Sequence, residues 1–339
     1  MKKKKIVYIG NKLAVHGRNP TTIDTLSVLF AKEGYRVVTA SSQKNKALRI
    51  ADMVLTVLQH ARSADFVIID TYSTSNFWYA FIVSQVCRLL QLKYIPYLHG
   101  GDLPKRLQQN PRLCRMIFDH AYKNVAPSVY LMEQFRERNV PGLLQIPNLL
   151  ELEQYNFKKR KIIRPRMFWV RAFSEIYNPK MAIAVAEQLQ ERYPETTLCM
   201  VGPDKDGSLD AVKAYADLKG VAVAFTGRLS KAEWTNLAAD YDIFLATSHF
   251  DNMPVSVMEA MALGLPIVAT NVGGIPFLLH KDVEAQLVAD GDIDAMVEAI
   301  QRLIENPDMA QKQIEKAYHK VEGFDWKEIK KQWERLFEY

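Results

Sequence analysis

The sequence has few cysteines and no long apolar run. Its three cysteines, Cys87, Cys114 and Cys199, form no CxxC pair and no zinc-ligand spacing. An odd, scattered set fits a reducing cytosol better than a disulfide framework, so we expect three small core residues. The longest apolar run, residues 77–83, falls far short of the roughly 20 residues of a membrane-spanning helix. We therefore expect a cytoplasmic protein.

Other signals are missing as well. The basic start runs directly into a strand pattern, so we expect no signal peptide. No GxGxxG follows the first strand, where only Gly10 and Gly17 occur, which disfavours a dinucleotide dehydrogenase. The chain shows no short repeat and no low-complexity segment. With 339 residues, 48% hydrophobic and 24% charged, it has the composition of a globular protein with two domains.

Charge is distributed unevenly along the chain. Residues 1–150 hold 21 lysines and arginines against 9 aspartates and glutamates, a net +12, whereas the remaining residues hold 23 against 29, a net −6. A basic half favours an anionic partner, such as a phosphate-bearing acceptor or a lipid headgroup surface. The alternative is an ordinary solvated surface. We expect no nucleic-acid partner.

Short apolar strand patterns alternate with segments of helical length in both halves of the chain. Continuous apolar strands of this kind predict parallel sheets covered on both faces, hence an α/β fold of two doubly wound, Rossmann-like domains. The charged segment 157–166 reads as the linker. We therefore predict an N-terminal domain over 1–160, a second domain over 161–322, and an amphipathic C-terminal helix over 323–339 that packs back toward the N-terminal domain.

Ligands of open parallel sheets bind beyond the carboxyl ends of the strands. Four predicted strands end in chemically useful residues. One is followed by His99 and Asp102, which flank Gly100 and Gly101, and the other three are followed by Arg171, by Asp251 and by a glycine pair at 273–274. Simpler interpretations remain: a structural histidine, an arginine on the surface or in a domain-interface salt bridge, and a tight turn.

A predicted helix beginning at Pro254 and ending near Gly264 carries a carboxylate, Glu259, among apolar residues. Helical spacing places Glu259 on an inward face with Met258. A buried carboxylate needs hydrogen-bond donors, from the protein or from a ligand. A second predicted helix begins with Asn178 as cap, Pro179 and Lys180, and its positive end suits a phosphate.

Residues 225–279 closely resemble the donor-sugar domain of glycosyltransferase family four, within the group 1 glycosyl transferases. These are retaining, nucleotide-sugar-dependent enzymes of GT-B fold, whose two Rossmann-like domains face each other across a cleft. The resemblance rests on Asp251 and Glu259, two acidic residues separated by seven others, and on the EAMALGLP run that starts at Glu259. It extends weakly over the rest of the chain through LHGGD, PSVYLMEQF and IPNLLELEQYNF.

The resemblance implies roles for the donor-side residues. Glu259 would bind the ribose hydroxyls of the nucleotide and Asp251 the hydroxyls of the transferred sugar. Arg171 would stabilise the leaving diphosphate without a metal or a cofactor. The family's lysine after this arginine is replaced by Ile176, which leaves Lys180 as the nearest cation. Further predicted donor contacts are the main chain near Met253, Val255 and Ser256, and the end of the first strand at Gly10.

The acceptor-side residues follow from the weaker part of the resemblance. His99 would hold the sugar near the reacting centre, and Asp102 would order the loop formed with Gly100 and Gly101. Gly17 belongs to the reduced glycine-rich turn after the first strand. The expected activity is retaining transfer of a sugar from a nucleotide-diphosphate donor, UDP favoured over GDP, to the hydroxyl of a sugar or lipid-linked acceptor in surface polysaccharide or glycolipid synthesis.

Three alternatives to this activity remain: a nucleotide-sugar epimerase of the same fold, a pyridoxal-dependent phosphorylase, and a non-catalytic nucleotide-sugar-binding protein. A peripheral location at the inner face of the cytoplasmic membrane is a further hypothesis. It rests on the segment 105–123, where Lys105, Arg106, Arg112 and Arg115 alternate with apolar residues, a pattern that fits a helix on an anionic membrane surface.

Overall fold

The structure is a computed structural model, and it describes residues 3–17 and 20–338. The chain divides into two compact units. Unit 1 comprises Met1–Pro147 together with Lys331–Tyr339, and unit 2 comprises Asn148–Lys330. Each unit contains one six-stranded parallel sheet with helices. The predicted fold class, two doubly wound Rossmann-like domains, is therefore confirmed.

The sheet of unit 1 has the strand order β2-β1-β3-β4-β5-β6. Its strands are β1 (Lys5–Ile9), β2 (Arg36–Ala40), β3 (Phe66–Tyr72), β4 (Tyr94–His99), β5 (Asn124–Ala126) and β6 (Leu143–Gln145). β3 and β4 are buried along almost their whole length, as expected for a parallel sheet covered on both faces. The loops that follow the carboxyl ends of these strands contain the predicted site residues of unit 1.

The helices of unit 1 include one departure from the sequence prediction. They are α1 (Thr22–Lys32), α2 (Lys46–His60), α3 (Phe77–Leu89), α4 (Leu103–Gln109), α5 (Pro111–Phe118) and α6 (Val129–Arg136). The segment predicted as a single membrane-surface helix is α4 and α5, separated at Asn110 by the proline that begins α5. Leu107, Ile117 and Phe118 from this segment lie in the core. Met116, from the same segment, is exposed.

The sheet of unit 2 has the order β12-β11-β10-β7-β8-β9. Its strands are β7 (Arg166–Val170), β8 (Thr197–Val201), β9 (Val223–Gly227), β10 (Ile243–Ala246), β11 (Ile267–Thr270) and β12 (Gln286–Val288). Its helices are α7 (Pro179–Arg192), α8 (Leu209–Lys219), α9 (Lys231–Leu237), α10 (Val255–Ala262), α11 (Ile275–Leu278), α12 (Ile293–Glu305) and α13 (Pro307–Glu322). Every strand predicted from the sequence is present in one of the two sheets.

The segment 148–160 belongs to unit 2, whereas the predicted boundary between the domains follows residue 160. The reason is Arg160, which looks like a linker residue by its charged surroundings but is only 3% exposed. Its guanidinium donates to the carbonyl oxygens of Leu263 and Gly264 at 2.9 and 2.6 Å, just after α10. Satisfying these helix-end carbonyls ties the segment into the unit 2 core.

The final helix α14 (Trp326–Glu338) is amphipathic, as predicted. Trp326, Ile329, Trp333 and Leu336 are all buried. Its residues from Lys331 onward belong to unit 1. There the Trp333 ring packs edge-to-face against the Phe30 ring, with 5.4 Å between the ring centroids. Within the part of the chain that the structure describes, no helix has the length and hydropathy needed to cross a membrane.

Candidate functional site

Helix α10 carries the buried carboxylate of unit 2. Glu259 is 6% exposed, as the helical pattern predicted. Pro254 is the N-cap rather than the first helical residue, and the eight residues of α10 make it about 12 Å long. The chain leaves the helix at Gly264, where φ is +68° and a side chain would crowd the Lys158 carbonyl oxygen, so glycine is needed there.

The protein itself supplies hydrogen-bond donors to Glu259. The Tyr155 hydroxyl donates to its Oε1 at 2.9 Å, and the Lys231 ammonium lies 3.2 Å from the same oxygen. Lys231 also donates to the Tyr155 hydroxyl at 2.7 Å. Burial raises the pKa of Glu259, and Lys231, Tyr155 and Arg171 oppose that rise only in part. Protein groups therefore supply hydrogen-bond donors to one of the two carboxylate oxygens of Glu259, Oε1.

Arg171 and Asp251 form an ion pair at the ends of β7 and β10. The Arg171 guanidinium donates to Asp251 Oδ2, and it lies over the Tyr177 ring with its carbon 4.7 Å from the ring centroid. Asp251 also accepts the Asn252 amide at 2.9 Å. Two residues that the sequence singled out separately are thus in direct contact, because β7 and β10 are neighbours in the sheet.

The glycine pair at 273–274 does more than form a tight turn. A Cβ at Gly273 would overlap the Asp251 carbonyl oxygen, and one at Gly274 would overlap that of Asn252. The Gly274 amide donates to the Asp251 carbonyl at 2.8 Å. Only glycine permits this close approach of two backbone segments, which fixes the loop that carries Asp251.

The main chain before α10 is held by unit 2 as well. The Met253 carbonyl oxygen accepts a hydrogen bond from the Asn148 side chain at 3.2 Å. Pro254 has no side-chain oxygen to cap the helix, so the first turn, with Val255 and Ser256, begins without the usual serine, threonine or aspartate cap. Their predicted contact with a donor phosphate stays a prediction.

Lys180 forms no ion pair with Asp251 or Glu259, whose cationic partners are Arg171 and Lys231. It is the second residue of α7, which begins with Asn178 as N-cap and Pro179 at the first position, as predicted. Its side chain is exposed, and its ammonium lies 5.8 Å from the centroid of the Tyr215 ring on α8. The cation that meets Glu259 is Lys231, at the start of α9. Ser230 and Glu233 form a capping box at the start of α9.

In unit 1, His99 is paired with a carboxylate that the sequence analysis did not select. His99 is 8% exposed, and its Nε2 lies 2.8 Å from Oδ1 of Asp70, which is fully buried on β3. The Tyr8 hydroxyl donates to the same oxygen at 3.0 Å. The rings of Tyr72 and Tyr97 cover the imidazole at centroid distances of 4.9 and 4.5 Å. Because Nε2 faces a carboxylate oxygen, this contact favours the neutral tautomer with hydrogen on Nε2, in which Nδ1 is the acceptor.

Gly10 belongs to this group of residues. A Cβ there would overlap Oδ2 of Asp70, the buried oxygen that has no hydrogen-bond partner in the structure. The Gly10 amide donates to the Ala40 carbonyl at 2.7 Å, and the predicted donor contact at the end of β1 stays a prediction. The glycine is required because Asp70 approaches the end of β1 closely.

The remaining predicted loop residues of unit 1 lie at strand ends. Gly17 has φ +75° and closes a single 3-10 turn at residues 14–16, and Gly100 has φ +82° directly after His99. Gly101 is partly buried and Asp102 is exposed. Asp102 precedes α4, but its side chain makes no capping hydrogen bond, so the structure gives it no loop-ordering contact of the kind expected.

Tyr155, Lys231 and Asp70 are the site residues that sequence reasoning missed. Asp70 carried a signal, because it is the one charged residue in the strand pattern FVIID and lies near the same sheet edge as His99. Tyr155 and Lys231 carried none, since they reach Glu259 across 104 and 28 residues of sequence. Among the described residues, no group of three or more histidine, cysteine, aspartate or glutamate side chains is arranged to hold a metal ion.

Comparison with known proteins supports a glycosyltransferase relationship for unit 2. Residues 153–320 match the family model described as glycosyl transferases group 1. The chain is 27% identical to the sulfoquinovosyl transferase SQD2 of Arabidopsis thaliana over 43% of this chain and 28% of that protein. It is 25% identical to the amylovoran biosynthesis glycosyltransferase AmsK of Erwinia amylovora over 64% of this chain and 56% of that one. The chain thus spans about half or less of these relatives.

A solved structure resembles the whole chain. Anabaena Alr3699/HepE, in complex with UDP and glucose, superposes with a TM-score of 0.76, at 18% identity and with 99% of each chain covered. Similarity at this identity shows the fold, here the GT-B fold of two Rossmann-like domains. The family follows from the match over unit 2: residues 153–320, about half of the chain, belong to the group 1 glycosyl transferases.

Proposed function

We propose that the protein is a retaining glycosyltransferase that moves a sugar from a nucleotide-diphosphate donor to an acceptor hydroxyl. One observation carries the proposal: in unit 2 the buried carboxylate of Glu259 contacts Tyr155 and Lys231 and interacts electrostatically with Arg171, which pairs with Asp251. A carboxylate can accept the two hydroxyls of a ribose, and the nearby cations suit a diphosphate.

In this proposal each residue of unit 2 has a chemical task. Glu259 accepts hydrogen bonds from the ribose, and Lys231 replaces the cation that Lys180 was predicted to supply. Arg171 stabilises negative charge that grows on the diphosphate as the glycosidic bond breaks. Asp251, held by Arg171 and the Gly274 amide, is placed for hydroxyls of the transferred sugar.

In unit 1 we propose that His99 contacts the reacting sugar or the acceptor through Nδ1. Asp70 acts as its positioning residue, since it fixes the Nε2–H tautomer from a fully buried site. No step requires a metal or a cofactor. The basic residues of unit 1 support an anionic acceptor, although the apolar residues of the predicted membrane-surface helix are mainly in the core.

UDP-sugars are the favoured donors, supported by the UDP and glucose bound to the Anabaena protein. A biosynthetic role is supported by the similarity to the Erwinia amylovoran biosynthesis glycosyltransferase, and surface polysaccharide or glycolipid synthesis is the role we propose. The test is a thermal-shift screen of UDP-, GDP- and ADP-sugars, because a ligand that binds the folded state raises Tm. Product analysis by NMR with a soluble sugar acceptor follows. Binding without any transfer favours a binding protein, and an altered free donor favours an epimerase.

A further inference from the structure

Unit 1 contains a cationic cavity at the carboxyl ends of its strands. The cavity has a volume of about 470 Å³, and its walls come from the loops after β1, β2 and β3 and from the start of α2. Four of its lining residues are basic, namely His16, Lys44, Lys46 and Arg49. The other lining residues are Leu13 and the polar residues Asn11, Ser75 and Asn76, so no carboxylate is found among those that the structure describes.

Hydrogen bonds hold the Arg49 side chain at the wall of the cavity. Arg49 is 7% exposed and donates to the Asn11 side chain at 3.0 Å and to the carbonyl oxygens of Gln43 and Lys44 at 2.7 and 2.9 Å. It thereby ties the loop after β1 to the loop after β2. A buried guanidinium at the cavity wall contributes positive charge that solvent screens poorly.

Two other basic side chains of the cavity wall, Lys46 and His16, are ordered by hydrogen bonds too. The Lys46 ammonium donates to the Ser75 hydroxyl at 3.3 Å, and Nε2 of His16 lies 2.7 Å from the Ser42 carbonyl oxygen, so that nitrogen carries the hydrogen. The N-cap residue Asn45 already accepts the Ala47 and Leu48 amides of α2. Recognition in the cavity therefore rests on side chains rather than on free helix amides.

We propose that this cavity binds the phosphate group of the acceptor, so that the acceptor is a phosphate ester of a sugar or polyol, free or at a lipid headgroup. The volume falls in the range of small-molecule sites, about 300–1,000 Å³, and exceeds the needs of a phosphate alone. Asn11 and Asn76 provide hydrogen-bonding groups for hydroxyls. One lining residue, Asn11, follows Gly10, and Gly10 lies against Asp70, the partner of His99.

That the bound phosphate ester is the acceptor rests on the proposed glycosyltransferase function. Binding of a phosphate ester in the cavity can be tested without turnover. Calorimetric titration of the full chain with glycerol phosphate, and with glycerol as the uncharged counterpart, is the first arm. The variant Lys44→Gln/Lys46→Gln removes two exposed cations of the cavity. We expect its affinity for glycerol phosphate to be about tenfold lower than that of the wild type, because charge-assisted hydrogen bonds are lost.

Two matched variants make the result specific. Lys105→Gln/Arg112→Gln removes the same charge from exposed positions on α4 and α5 and should leave the affinity unchanged. Lys44→Arg/Lys46→Arg keeps the charge and should retain most of the affinity. Unchanged affinity in Lys44→Gln/Lys46→Gln, or equal losses in both glutamine variants, would overturn the proposal.

The second arm separates the two sources of the phosphate. Vesicles of phosphatidylglycerol and phosphatidylcholine are compared with pure phosphatidylcholine by co-sedimentation. Dependence on Lys44 and Lys46 in this arm supports a lipid headgroup, and dependence only in the glycerol phosphate arm supports a soluble ester. Vesicle binding that needs Lys105 and Arg112 but not the cavity lysines, without glycerol phosphate binding, overturns the proposal.

UDP titration runs in parallel with both arms, and neither glutamine variant should alter UDP affinity. Glycerol phosphate binding that depends on the cavity lysines, in a protein with no UDP affinity, would refute the proposed donor chemistry and retain the cavity. UDP binding and sugar transfer without any glycerol phosphate binding in the cavity would refute the cavity proposal and retain the proposed donor chemistry.

Discussion

Replacement of Glu259 by glutamine separates donor binding from stability. The carboxylate already accepts Tyr155 and Lys231 on Oε1, whereas glutamine has one carbonyl oxygen to share among these groups and the ribose. Loss of two charge-assisted acceptor bonds should weaken nucleotide binding by roughly 1–3 kcal/mol, or about 5- to 150-fold in Kd. The fold should survive, since the new side chain has nearly the same size.

The stability of this variant follows from the direction of a pKa shift. Burial raises the pKa of Glu259 above its ordinary value, so the fold disfavours the ionised form. The resulting destabilisation grows as pH rises from the unfolded pKa of glutamate to the raised folded pKa, and it is constant above that. Glu259→Gln removes it. We therefore expect a Tm at pH 7 no lower than that of the wild type, despite weaker nucleotide binding.

Glu284 is the matched control, a glutamate of unit 2 that is 8% exposed. Burial raises its pKa, but the His280 amide and Lys320 outweigh that effect and the net shift is downward. Its stabilising contribution is present above the unfolded pKa and is lost as pH falls through the folded pKa. Glu284→Gln should lower Tm at pH 7, with a loss of about 1 kcal/mol, and the difference from wild type should close in acid.

The assay is UDP titration by calorimetry together with thermal melts between pH 4 and pH 8. Unchanged UDP affinity in a folded Glu259→Gln protein would remove Glu259 from the donor site. A clear fall in Tm at pH 7 for Glu259→Gln would show that the reasoning about its burial is wrong. Reduced UDP affinity in Glu284→Gln would mean that the assay reports general damage to unit 2.

Three further substitutions probe the remaining contacts. Arg171→Ala should lower kcat more than it raises the donor KM, because charge on the diphosphate grows in the transition state; steady-state kinetics showing only a raised KM would make it an anchor. Asp70→Asn should lower kcat about tenfold, through loss of one charge-assisted bond to His99, and alter the pH–rate profile without changing UDP affinity; an unchanged profile with a lowered Tm would assign Asp70 to stability alone. Gly274→Ala should destabilise unit 2 by about 1–3 kcal/mol, since its Cβ overlaps the Asn252 carbonyl oxygen, and denaturant unfolding with no loss would contradict that geometry.

The sequence alone determined the two parallel sheets and the buried position of Glu259. Parallel strands covered on both faces are continuous apolar runs, and each run in this chain stands out between helical segments. An eight-residue apolar helix with one carboxylate likewise needs no tertiary information to place that carboxylate inward. The loops that carry His99, Arg171 and Asp251 followed from strand ends for the same local reason.

Tertiary structure decided which groups meet. Lys231 reaches Glu259 and Asp70 pairs with His99, and neither contact was predicted, because contacts between distant segments depend on strand order and helix packing, which local patterns do not encode. The buried Arg160 shows the same limit, since its charge predicted a linker while its hydrogen bonds to the carbonyls after α10 place it inside unit 2. Periodicity reports which face of an element is buried, but only the folded chain determines what lies against that face.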